Sequence, residues 1–264
     1  MSWHVPISDY VKLWQLSRKR ILSELDYREC QAFQAQLIFN YLASFGVQVR
    51  GQRVLDLGSG IGGYSEQMAA AGADVVSVDL MASAVKLDSR CAPVVGNALH
   101  VPLADASIDF VFCASLIEHV PNPQILLEEV ARVLKPGGVC YLSFPPFYSP
   151  VGGHEYAPYH YLGERLAMWL AGARSHKGHP AWAQRLYAVN TQPTSFAGIY
   201  ADWGLFVMTI AKARRLIARS GLNLRDQSTR YFPHSFARWP ILGELLTWHV
   251  QFLLQKPARH AGKQ

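Results

Sequence analysis

Charge is sparse in this chain. Only 17% of its 264 residues are Asp, Glu, Lys or Arg, and no long run of either sign occurs. Such a composition excludes a polyelectrolyte tail or a disordered acidic segment. Cysteine is also scarce. The four present, Cys30, Cys91, Cys113 and Cys140, form no C-x-x-C pair, so a zinc ribbon and a disulfide-stapled scaffold are both excluded. No apolar run approaches the ~18 residues that would cross a bilayer. The opening segment, MSWHVPISDYVKLWQLSRKR, lacks the apolar centre of a secretory signal. The expectation is a cytoplasmic protein with reduced, buried thiols. No internal repeat or low-complexity tract interrupts the sequence.

What remains is globular material. Half of the residues are hydrophobic, enough for a sizeable core. Helical spacing appears at residues 8–46, first with Ser8 or Asp9 as cap, then from about Glu29 to Ser44 with Phe33, Leu37, Ile38 and Leu42 on one face. From residue 53 short apolar runs alternate with helical stretches. Strands are expected at Arg53–Leu57, Asp74–Val78, Pro93–Val95, Ile108–Cys113 and Val139–Phe144. Helices are expected at Tyr64–Ala71, from about Ala82, and at Gln124–Leu134, the last closed by Pro136-Gly137-Gly138. This rhythm implies βαβ units and a parallel sheet. It breaks after Phe144. Residues 145–205, rich in Pro, Gly, His and aromatics, read as an insertion over the sheet edge. A helix over Leu205–Ser220 and strands at Leu222–Arg230 and Trp248–Gln255 complete the pattern.

A glycine-rich turn, Gly58-Ser59-Gly60-Ile61-Gly62-Gly63, follows the first strand. Glycines there let the backbone turn sharply and approach a ligand closely, and the next helix aims its N-terminal amides at that ligand. The same letters fit a dinucleotide fingerprint, so a nicotinamide- or flavin-dependent oxidoreductase stays open at this level. Asp56 argues against it. A carboxylate two residues before the turn repels a pyrophosphate but suits an amino group and a sulfonium. Asp79, ending the second strand, can accept both ribose hydroxyls in either case.

The run VLDLGSGIGG, then VVSVDL, then VVGNALHVPLADASIDFVFCASLIEHVPNPQILLEEVARVLKPGGVCYLSFP resembles the class I methyltransferases that use S-adenosylmethionine (SAM), of the methyltransferase domain 11 type. The match runs over about residues 50–146. The resemblance implies an α/β, Rossmann-like, doubly wound sheet of seven strands, the seventh antiparallel, with an N-terminal helical cap over residues 1–48. The remainder, 49–264, would be the SAM-binding domain, with the insertion at 145–205 binding the acceptor. Asp56, Gly58, Ser59 and Gly60 would hold the methionine part of SAM. Asp79 would bind the ribose, Leu80 would lie against adenine, and Asn97 and Ala98 would border it. Family members often have Asp where Asn97 stands, so one charge is missing. Ala114 and Ser115 would line the methionine chain and the transferred methyl.

Transfer to oxygen also requires a base. The insertion supplies His154, Glu155, Tyr156, His160, His176 and His179, with His154, after Gly152-Gly153, as first candidate. His119, in the Glu118-His119 pair expected to open a helix, is the second. H154-EYAPY-H160 is not the H-E-x-x-H metal signature, and no metal ligands are assigned. FPPFY at 144–148 resembles the loop of amino-group methyltransferases but follows strand five and lacks its leading Asp or Asn. That departure disfavours methylation of a base or glutamine nitrogen, and the resemblance of the GGHEY…HYLG and KGHP segments to a subgroup of bacterial members implies a small-molecule, sugar or lipid-linked acceptor, expected to be methylated on oxygen. Arg165, Arg174, Lys177, Arg185, Arg214, Arg215 and Arg219 are too scattered to favour nucleic acid. YFPHSFARWPIL at 231–242 reads as the packed link between strands six and seven, and it admits peripheral contact with a membrane. A catalytically silent methyltransferase-like binding protein is the further alternative.

Overall fold

The computed structural model describes residues 5–81, 91–178, 193–199, 203–231 and 235–258, with residues 172–178 described by their backbone alone. The helix expected from Ala82, His179, Arg185 and residues 232–234 of the link lie outside them.

Seven strands make one sheet. They are β1 (Arg53–Leu57), β2 (Asp74–Asp79), β3 (Cys91–Val95), β4 (Ile108–Ala114), β5 (Leu134–Phe144), β6 (Asn223–Thr229) and β7 (Val250–Gln255), in the order β3-β2-β1-β4-β5-β7-β6. The pairs β1·β2, β1·β4, β2·β3 and β4·β5 are parallel, and β7 is antiparallel to both β5 and β6. This is the fold expected from the sequence. Strand β6 thus points the same way as β1 to β5. The carboxyl ends of those six strands and the start of β7 share one edge, where open α/β sheets bind ligands.

Side chains alternate across the strands, and each face finds its own cover. Leu55 and Leu57 of β1 turn to the face shared with Leu126, Leu127 and Val130 of α4 (Pro123–Val133) and with Ile210, Ala213 and Ile217 of a later helix. Val54 turns to the opposite face, with Met68 and Ala69 of α3 (Gly63–Ala70) and Ile38, Tyr41 and Leu42 of α2 (Glu24–Ser44). The second N-terminal helix is therefore a layer of the main core. Before it runs α1 (Ile7–Lys19), whose N-cap is Pro6, two or three residues earlier than Ser8 or Asp9. The α2 start at Glu24 instead of Glu29 has a local cause: Ser23 accepts the Asp26 amide at 3.0 Å.

Two further boundaries move. The Pro136-Gly137-Gly138 turn does not precede β5 but lies inside it. Leu134 already pairs with Ile108, and the ladder shifts register before Phe110 meets Val139. The helix expected over Leu205–Ser220 is only α6 (Ile210–Arg219), capped by Thr209 accepting from the Lys212 amide. Residues before it stay extended because neighbours claim their backbone groups. Gly204 N donates to His119 O, Phe206 N to Glu118 O, and Met208 O accepts from Phe147 N.

The insertion has its own small core of Phe147, Tyr156, Ala167, Ala171, Phe196, Ile199 and Leu205, with α5 (Glu164–Gly178) along it. Gly152 allows a close approach, since a Cβ there would meet Pro146 O at 2.0 Å. The link 231–242 leads into the short α7 (Leu242–Leu246), whose Glu244 carboxylate accepts the Ile210 and Ala211 amides at 2.8 Å each. It thereby tethers the start of α6. Among the described residues no helix is long and apolar enough to cross a membrane.

Candidate active site

The glycine turn is built around one carboxylate. Gly58 and Gly60 adopt φ of 77° and 54°, backbone that L side chains rarely take. Their amides turn toward β2: Gly58 N donates to Val78 O at 2.8 Å, and Gly60 N donates to Asp79 Oδ2 at 2.8 Å. Asp79 Oδ1 accepts the Met81 amide at 3.0 Å. Both oxygens are held from behind, and each keeps a lone pair for a hydroxyl. Among the described residues nothing lies within 4 Å of where a Gly60 Cβ would be, so they leave room beside the loop. Leu80, a large apolar side chain left 41% exposed at the same edge, offers a flat surface for an aromatic base. This cradle fits a nucleoside joined to an amino acid, as in SAM.

Asp56 lies deeper, only 2% exposed. Its Oδ2 accepts from Ser65 Oγ at 2.5 Å, and Ser65 Oγ lies 2.7 Å from Ser77 Oγ. Burial raises its carboxyl to about 7, against the Ser65 bond, and the Asp79 charge adds to the rise. Asp56 thus ties β1 to α3 beneath the loop. Ser59 is buried there as well. Asn97 is exposed and its Oδ1 already accepts the Leu99 amide at 2.9 Å, beside the buried Ala98. Its NH2 group is the donor left for an adenine nitrogen.

At the end of β4, Ala114 is half-buried, and Ser115 is exposed with φ 55°. The Ser115 amide is held by Ser143 O at 2.7 Å. Next comes the Glu118-His119 pair, in a one-turn 3₁₀ helix (Ile117–His119) before α4, not opening that helix itself. His119 Nδ1 bonds to Gly204 O at 2.7 Å, and its ring packs 4.9 Å from His154 and 4.6 Å from Trp203. The insertion therefore reaches over the carboxyl end of β4. Burial, reinforced by His154, pushes His119 down to about 3, which keeps it neutral and makes it a poor proton acceptor. Glu118 is 1% exposed and burial pushes its carboxyl up to about 8. Glu118, His119 and His154 bring one ligand atom each within 4.8 Å of one another, a spacing that suits either a proton relay or a divalent ion. His160 is buried against Phe147 instead, rings 5.4 Å apart, and serves packing.

Sequence reasoning missed a second polar cluster on this edge. Arg230 follows β6 and His249 precedes β7. Arg230 Nη2 lies 3.0 Å from His249 Nε2, which lies 3.2 Å from Ser115 Oγ. Tyr64, in the first turn of α3, donates to Gln34 of α2, and Gln34 donates to Tyr231 at 2.8 Å. These residues come from five separate segments. The one available signal was position: polar residues directly flanking apolar strands on the edge that carries the glycine turn.

Residues 55–142 match the family described as "Methyltransferase domain". An uncharacterized methyltransferase of Mycobacterium bovis BCG is 31% identical over 242 residues, covering 86% of this chain and 86% of its own length. The chain belongs to the class I SAM-dependent methyltransferases. A Mycobacterium ulcerans methyltransferase is 35% identical over 195 residues, 66% of this chain and 76% of the relative. The fold of this methyltransferase is shared with a SAM-dependent methyltransferase from Mesorhizobium loti, at TM-score 0.55 and 19% identity, covering 83% of this chain and 98% of that one. One from Methanosarcina mazei gives TM-score 0.51 and 18% identity, covering 83% and 98%. The oxidoreductase reading, open while only the glycines were considered, is closed by membership of this family.

Proposed function

We propose that this methyltransferase transfers a methyl group to an oxygen of a small-molecule, sugar or lipid-linked acceptor held under the 145–205 insertion. The observation that carries the reading is the seating of the His154 ring against His119 at the carboxyl end of β4. In this reading SAM supplies an electrophilic methyl on a cationic sulfur. Asp79, Leu80, Asn97 and Ala98 hold the nucleoside. Gly58, Ser59 and Gly60 border the amino-acid part over Asp56, and Ala114 and Ser115 border the methyl.

The chain's own contribution is then positioning, exclusion of water and removal of one proton. His154 is the candidate base. His119, locked by Gly204 O and kept neutral by burial, orients it. The aromatic small core of the insertion supports an apolar or ring-bearing acceptor. Labelled SAM incubated with cell extracts should mark the acceptor. Labelling stable to mild base and confined to an ether oxygen is expected, and methylation of nitrogen or carbon would overturn the oxygen assignment.

A further inference from the structure

Arg230 is a guanidinium 3% exposed, with no carboxylate within ion-pair reach among the described residues. Its hydrogen-bonded neighbours are neutral, and the Arg20 guanidinium acts on the same Tyr64, Tyr231 and His249. Nη1 donates to Tyr64 Oη at 3.4 Å, Nη2 to His249 Nε2 at 3.0 Å, and Tyr231 lies under its plane at 5.4 Å. Tyr141, whose hydroxyl donates to Gln251, faces it as well. Its Nε–H has no acceptor at all. Because His249 Nε2 accepts from Arg230, the proton of that neutral ring is on Nδ1, and this atom too is buried without a partner. Burial and the Arg230 charge both hold His249 neutral. The cluster is therefore short of acceptors and carries positive charge with no carboxylate beside it among the described residues, a costly state for a folded protein.

We propose that Arg230, His249 and Tyr64 receive a carboxylate carried by the methyl acceptor. Resting on the reading above, this names the acceptor's chemical class. The Arg230 guanidinium offers a planar fork that matches the two oxygens of a carboxylate. Position separates the cluster from the nucleoside end of the cofactor. Asp79 and Leu80 fix the nucleoside end on β2. Ser115, at the end of β4, touches His249 and stands between that end and Arg230.

Sodium benzoate is the probe, titrated by thermal unfolding into protein saturated with S-adenosylhomocysteine, with benzamide and inorganic phosphate at matched ionic strength. Saturable stabilisation by benzoate alone is expected, weakened about tenfold or more in Arg230→Gln. Arg230→Lys, which keeps the charge and loses the fork, should fall between. Arg230→Gln without ligand should melt no lower than the parent chain, because an unpaired buried charge is gone. Phosphate stabilising better than benzoate, benzamide doing equally well, or benzoate binding unchanged in both variants would overturn the proposal. So would a tenfold loss of S-adenosylhomocysteine affinity in Arg230→Gln, which would give the arginine to the cofactor. Failure of the parent chain to bind S-adenosylhomocysteine would instead sink the reading of the cofactor site, a separately measured result.

Discussion

The two halves of the cleft are made by different means. On the cofactor side, β1, the glycine turn and α3 follow one another within 18 residues, and Asp79 meets Gly60 through a backbone amide. Its parts are periodic and local. On the acceptor side, His119 is oriented by a carbonyl 85 residues away, and Ser115 and His249 meet across 134 residues. That side hangs on single side chains and on extended segments outside the sheet. Under the proposed assignment, the contrast teaches that regular structure holds the cofactor, while the specificity of the acceptor depends on tertiary contacts that individual substitutions can remove.

The largest expected effect belongs to the frame both halves share. Phe110, fully buried in the core under α2 and α3, should cost about 3–5 kcal/mol when changed to Ala, read as a lowered urea midpoint. An effect below about 1 kcal/mol would mean the sheet does not carry the site. The next tests the acceptor side. His154→Ala should lower turnover by about 100-fold at unchanged S-adenosylhomocysteine affinity, and a loss under about tenfold would remove His154 as base. On the cofactor side, Asp79→Ala should weaken S-adenosylhomocysteine binding by about 1–3 kcal/mol in calorimetry. Equal damage to the acceptor dependence would blur the division between the halves.

A further effect is in pH. Burial raises Glu118 from 4.5 to about 8, so the folded chain keeps a proton that the unfolded chain releases. The stability this group contributes is complete below about 4.5 and is lost as pH rises toward 8. Glu118→Gln should therefore match the parent melting temperature near pH 4 and exceed it progressively up to pH 8. Parallel curves would show that the carboxyl is not buried in its neutral form.

The same division explains what could be read in advance. The strands were legible to within a few residues because β-periodicity and turn residues act locally: Arg53–Leu57 and Asp74–Val78 needed only their own side chains. The places of Asp56 and Asp79 near the carboxyl ends of β1 and β2 were legible for the same reason. The extended run before Ile210 was not, since its helical spacing was overridden by bonds to Glu118, His119 and Phe147. Nor was the Arg230 cluster, whose members share no spacing. His119 was a candidate base in the sequence, but burial, invisible there, makes it a poor one.

Because β7 runs against its neighbours, it enters the sheet at the reactive edge and leaves at the opposite one, where Lys256 bonds Leu134 O at 2.7 Å. Exposed Ala258 therefore lies on the far side of the sheet from the glycine turn, and a fluorescent reporter attached to its position would start away from the cleft during the binding measurements above.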